Sequence, residues 1–276
     1  MRKRRPARYN VGAMGKRALR LTIALLFLSV LACAGGPEPL ALRMESWDRS
    51  VSVPLDPGDA ELGPRLDVYM SLLWVVGPAA QAAFLNGFLY PSGDGEAHRG
   101  AAVAELREAR RRMAEGGDPA ADRDWRHAET VRVAALGPGG GLMVTRDLET
   151  FFGFEGLGRR FYYVFDLNSP GRVRLDDLFS DFQGDEARGL VHEGLRALKG
   201  LGEGEPLSLA GFLSDEPELT FNFSVGEGGL GLRWNPGEIA PRSMGGVDLV
   251  LPWRAALPAL RASGAERLRA LFGLEL

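Results

Sequence analysis

The chain has a single cysteine, Cys33, only three histidines, and after residue 32 only one lysine, Lys199. One cysteine excludes an intramolecular disulfide and the zinc sites built from several thiolates. His98, His127 and His192 show no H-x-H or H-E-x-x-H spacing, and His192-Glu193 has no second histidine four residues on, so the metalloprotease pattern is absent. No G-x-S-x-G elbow occurs. Gly137 to Gly141 is glycine-rich but lacks the lysine and following helix of a phosphate loop. Neither a metal nor a cofactor is expected. The longest apolar run, Leu21 to Ala32, is far short of the about 20 residues of a spanning helix. No acidic residue precedes Glu38.

That first stretch is instead rich in base. Arg2, Lys3, Arg4, Arg5, Arg8, Lys16, Arg17 and Arg20 lead into the apolar run, which is the layout of a secretory signal. Val30-Leu31-Ala32-Cys33 resembles the lipobox of bacterial lipoproteins, with Leu31 bulkier than the usual residue at its place. The resemblance implies cleavage before Cys33 and a diacylglycerol on its thiol, an anchor that holds a protein at a membrane without spanning it. The other reading is a plain signal with an incidental cysteine. Met14-Gly15-Lys16-Arg17 forms a compact signal start of its own. Ala34, in place of an aspartate, implies the outer membrane, facing the periplasm. Residues 1–32 are thus read as signal and 33–64 as a lipidated tether.

Without residues 1–32 the chain holds 25 basic and 36 acidic residues, a net charge of −11. That excess argues against nucleic acid, whose binders need basic patches. It suits a cationic partner, or it serves only solubility.

Residues 34–64 are rich in Pro, Gly and Asp, with one short strand expected at Val51-Ser52-Val53. Leu66 to Val76 alternates as a buried strand, and Gly77-Pro78 opens a helix over 79–86. Tyr90 to Gly95 is a break, and a second helix runs from about Glu96 to Glu115, where Gly116-Gly117-Asp118-Pro119 closes it. Strands are expected at 129–136, 142–152 and 160–167, with His127 on a loop before them. An amphipathic helix follows at 186–199, then a hairpin at 219–225 and 229–234, and a strand at 247–251. Closing helices run to Phe272, broken near Pro258 and Ser263-Gly264. Tight turns between strands and helices in separate blocks indicate α+β, with an antiparallel sheet built from hairpins and helices on one face. The domain is taken as 65–276, with parts at 65–127 and 128–276.

Glu149, Glu155, Asp166, Asp176, Asp177 and Glu238 supply carboxylates for glycoside hydrolysis if two face each other across a cleft. Local capping and turns are the competing explanation for Asp176-Asp177, Asn235 and Glu238. Half of the aromatic set from Phe151 to Phe165 should face a core. The other half is free to stack on sugars or to anchor a partner.

Two stretches carry a family resemblance. Phe161-Tyr162-Tyr163-Val164-Phe165-Asp166-Leu167 continues to Leu175-Asp176-Asp177-Leu178-Phe179. Gly231-Leu232-Arg233-Trp234-Asn235-Pro236-Gly237-Glu238-Ile239-Ala240-Pro241 continues to Val247-Asp248-Leu249-Val250-Leu251-Pro252-Trp253. These resemble the extracytoplasmic domain of RsiV-like anti-sigma factors. The resemblance implies an α+β envelope domain that recognises lysozyme-like proteins. Related domains accompany cell-wall polysaccharide deacetylases, as an accessory part. Envelope location and the aromatic strands make a peptidoglycan fragment the other ligand expected. A G-G-A-H loop of that family is replaced here by Gly153 to Gly158, without histidine. The expectation is a non-catalytic binding or sensing module, with Phe154, Glu155, Tyr162, Asn235 and Glu238 at its ligand site. A glycan hydrolase and a purely structural envelope protein are the alternatives.

Overall fold

A computed structural model describes residues 42–55, 58, 63–152 and 155–276. The signal segment, Cys33, Phe154 and part of the expected tether lie outside them. The tether ends earlier than the sequence suggests, because Arg43–Pro54 is one 12-residue strand, β1. It pairs antiparallel with β2 (Arg65–Val76) along its whole length, from Arg43↔Val76 to Pro54↔Arg65. β1 borders the sheet, and most of its residues are exposed, so no strong apolar alternation marks it in sequence.

From β2 the chain crosses over through α1 (Ala79–Leu89) and α2 (Gly95–Glu115). Asp94 starts α2, its Oδ1 accepting from the Ala97 backbone N–H at 2.9 Å. The chain returns as β3 (Trp125–Leu136), parallel to β2, with Leu66 opposite Trp125 and Ser71 opposite Thr130. This is the one parallel pair among the described strands. β4 (Gly141–Phe152), β5 (Glu155–Asp166) and β6 (Gly171–Val173) then follow as antiparallel neighbours. The six strands lie in chain order. His127 falls within β3 and not on a loop, since β3 begins four residues before the expected start.

The rest of the chain builds a second layer. It contains α3 (Leu175–Leu178), α4 (Asp185–Lys199), a three-stranded antiparallel sheet, and α5 (Trp253–Ala256) and α6 (Ala262–Phe272). The sheet order is β7 (Phe223–Gly226), β8 (Gly229–Trp234), β9 (Val247–Pro252). The expected break at Ser263-Gly264 does not occur. Gly264 lies inside α6, where a Cβ would fall 2.5 Å from the Leu178 carbonyl oxygen, so the glycine allows close approach to α3. The α+β class built largely from hairpins is as the sequence indicates.

Two cores result. Leu66, Val68, Met70, Leu72, Leu85, Leu89, Trp125 and Val131 form the one between the large sheet and α1–α2. Leu178, Phe179, Val191, Leu195, Leu230, Leu249 and Leu268 belong to the other. β4 and β5 serve both: Leu142, Val144 and Phe165 enter the first, Met143 and Val164 the second. β3 manages the same division with a register shift between Val133 and Ala135. Val131 is in the first core, while Ala135 packs against the second.

Candidate functional site

The loops at the free edge of β5 are held by two asparagine side chains. Asn222 Nδ2 donates to the Arg160 carbonyl at 2.7 Å, and its Oδ1 accepts from the Tyr162 N–H at 2.8 Å. Asn235 Oδ1 accepts from the Arg160 N–H at 2.7 Å. Together these amides do for Arg160–Tyr162 what a neighbouring strand would do. Asn235 is 3% exposed. Its own N–H donates to Glu238 Oε2 at 2.7 Å, and the Glu238 N–H returns to the Asn235 carbonyl at 3.1 Å. Pro236 and Gly237, the latter at φ +88°, close the tight loop between them.

The structure thus brings Tyr162, Asn235 and Glu238 into one region. Tyr162 is half-buried against the second core, and Asn235 is consumed in holding the loop to β5. Glu155 is exposed at the start of β5, five residues along the strand from Arg160 and apart from this group. Asp166, Asp176 and Asp177 hold local roles. Asp166 accepts from the Asn168 N–H and pairs with Arg267 at 3.2 Å. Asp177 Oδ2 accepts from the Arg174 N–H at the start of α3. Asp176 lies 3.6 Å from Arg174.

Beyond the Asn235–Glu238 loop is a cleft of about 310 Å³ lined by Leu213, Ser214, Glu216, Pro217, Glu218, Glu238 and Ile239. The loop 211–218 is fixed at its rim, with the Leu213 N–H on the Ile239 carbonyl at 2.9 Å and the Trp234 indole N–H on the Glu218 carbonyl at 2.8 Å. Among the described residues, the carboxylates of Glu216, Glu218 and Glu238 form no ion pair. Beside them the surface is apolar. Leu209 is 70% exposed, Leu213 63% and Met244 40%. The Met244 sulfur lies 3.1 Å from where a Cβ on Gly211 would sit, so Met244 closes on the same loop. Sequence reading reached Glu238 but missed Glu216, Glu218 and Leu213. Their signal was the acidic run Ser214-Asp215-Glu216-Pro217-Glu218, which showed no periodicity.

A third group is buried between α2 and the large sheet. Glu129, 2% exposed, meets His98 Nε2 at 3.0 Å and Arg146 Nε at 2.8 Å. Burial pushes the Glu129 carboxyl up, but the His98 hydrogen bond and the Arg146 charge outweigh it and hold the group below its ordinary range. His127 Nδ1 lies 2.9 Å from the Thr150 hydroxyl, and burial pulls the His127 imidazole down. Tyr90, edge-on to His98, places its hydroxyl between the N–H and carbonyl of Leu73, and burial pushes its pKa up. These groups tie the crossover helix to β3 and β4. None of them lines the Glu216–Glu238 cleft.

No curated protein matches the chain. A solved structure of a DUF3298 family member from Bacteroides fragilis is similar at a TM-score of 0.65 and 17% identity, over 81% of this chain and 95% of that one. A DUF3298 family protein from Pseudomonas aeruginosa is similar at a TM-score of 0.52 and 14% identity, over 82% of this chain and 96% of that one. Both likenesses concern the fold. Within the second layer, residues 176–254 match the family model DUF3298, described as a protein of unknown function.

Proposed function

We propose that the chain is a lipid-anchored, RsiV-like binding module of the bacterial envelope, and that its ligand is a cationic protein of the lysozyme type. The observation that carries this reading is the pairing of Glu216, Glu218 and Glu238, free of ion pairs among the described residues, with exposed Leu209, Leu213 and Met244. An apolar patch rimmed by one sign of charge is suited to a protein partner of the opposite sign. The net charge of −11 after residue 32 adds long-range attraction. The lipobox-like Val30-Leu31-Ala32-Cys33 supports an anchor at Cys33, and Ala34 supports the outer membrane. A Cys33→Ala chain should lose the membrane fraction and the acyl mass of the wild-type protein.

Titration calorimetry of the full chain with lysozyme, at low and at moderate salt, tests the ligand. Saturable binding that persists at moderate salt is expected. Joint Glu216→Gln and Glu218→Gln substitution should weaken it by about tenfold or more, because desolvated charge contacts dominate such interfaces. Glu238 is left intact, since it also holds Asn235. Binding that vanishes with salt reports charge attraction alone and refutes the reading.

A further inference from the structure

Far from the acidic cleft, on the helix side of β1 and β2, is a second cleft of about 310 Å³. It is lined by Glu45, Ser46, Trp47, Leu72, Trp74, Asp94, Gly95 and Glu96. We infer that this cleft is a carbohydrate site, and that Trp47 and Trp74 are the platforms on which the rings of a neutral pyranose oligosaccharide stack.

The two tryptophans differ from the others in the chain. Trp125, Trp234 and Trp253 are buried, whereas Trp47 and Trp74 pack against the edge of the first core and keep part of their surface open. Each of the two is also braced from within the protein. Trp74 stacks on Tyr90 with centroids 5.8 Å apart and planes 17° from parallel. Tyr90 is itself fixed through its hydroxyl to Leu73. Trp47 lies flat against Gly95, where a Cβ would meet three ring carbons at 2.8 to 3.1 Å, so any larger residue would displace the ring. Rings locked in this way present area at little entropic cost, which is what a weakly interacting, hydroxylated ligand requires.

The polar rim decides the class of ligand. Glu45 pairs with Arg43, Glu96 pairs with Arg99 and lies 3.9 Å from Arg49, and Asp94 caps α2. Arg49 also sits 5.4 Å from the Trp47 ring centre. The carboxylates are thus already met by local cations or by backbone donors, and the rim is close to balanced. A cationic ligand would gain little there, and an anionic one would face the acids directly. A carboxylate held by arginine keeps lone pairs for hydroxyl donors. Apolar ring faces with a balanced set of donors and acceptors are the surface of a neutral sugar. The volume lies at the low end of small-ligand clefts, which fits a short oligosaccharide. This inference is independent of the protein-binding face, which lies in the other layer.

The test uses the full chain with cellotetraose and chitotetraose as separate probes. N-bromosuccinimide oxidises accessible indoles, so the untreated protein should lose the absorbance of two tryptophans quickly. A saturating sugar should protect both, and the more protective probe identifies plain or N-acetylated rings. Intrinsic fluorescence should shift saturably with the same sugar. Trp47→Ala and Trp74→Ala should each weaken that binding by about tenfold. Glu216→Gln with Glu218→Gln should leave it unchanged. The absence of protection and of a saturable shift with either tetrasaccharide would overturn the inference in the wild-type protein, whatever the variants do. So would undiminished affinity in both folded tryptophan variants.

Discussion

At the scale of single residues, the costliest group to disturb is the Glu129 carboxylate. It is buried against His98 and Arg146, and its removal would leave the arginine beneath α2 without its counter-charge. Breaking one partner of a buried pair typically costs 3–5 kcal/mol. Arg146 keeps 21% of its side chain exposed, so Glu129→Gln should cost about 3 kcal/mol, at the lower end of that range, in urea unfolding at pH 7. His127 gives the pH dependence its sign. Its folded pKa lies below the ordinary histidine value of 6.5, so the unfolded chain takes up the proton first. Its contribution is complete above about pH 6.5 and is lost as pH falls toward the folded value. Glu129 is likewise depressed, and its contribution is lost at lower pH, beginning near the ordinary glutamate value of 4.5. Thermal melts from pH 7 to 5 should therefore show falling stability, and His127→Gln should flatten that fall. A melting temperature constant over this interval would contradict the assignment.

At the scale of elements, asparagines complete sheet edges where strands stop. Asn222 and Asn235 do so for β5. Asn86 does so for β2, its side-chain amide exchanging hydrogen bonds with Val75 N–H and C=O at 2.9 and 2.7 Å. Asn222→Ala should remove two such bonds and cost about 2 kcal/mol, with the Tyr162 amide losing its protection from hydrogen exchange. Unchanged exchange at Tyr162 would show that another group replaces Asn222.

Elements with strong periodicity, such as β2, α2, α4 and β9, are legible in the sequence because each buries one face. β1 is not, because it is a mostly exposed edge strand. The parallel β2–β3 pairing is not either, because it depends on contacts across the whole α1–α2 crossover. His127 and Glu129 occupy inward positions of β3 where alternation predicts apolar residues, so the sequence pattern starts the strand too late. Of the candidate site, the rigid Asn235–Glu238 loop was readable from its proline and glycine. The loop that faces it was not, because the cleft forms only when residues 213–218 dock on Ile239.

At the scale of the whole molecule, the interleaving of β4 and β5 between two cores decides how the protein comes apart. Successive residues of one strand, Leu142 and Met143, answer to opposite layers, as do Val164 and Phe165. Loss of either layer therefore strips one face of the same two strands and weakens the support of the other. Two hydrophobic cores would ordinarily suggest two calorimetric transitions, yet this wiring should give one, with scanning calorimetry returning equal calorimetric and van't Hoff enthalpies. It also means that a chain shortened after Val173 would carry Met143, Tyr162 and Val164 into water on a bare sheet. Such a fragment would be an aggregation hazard and not a smaller working module.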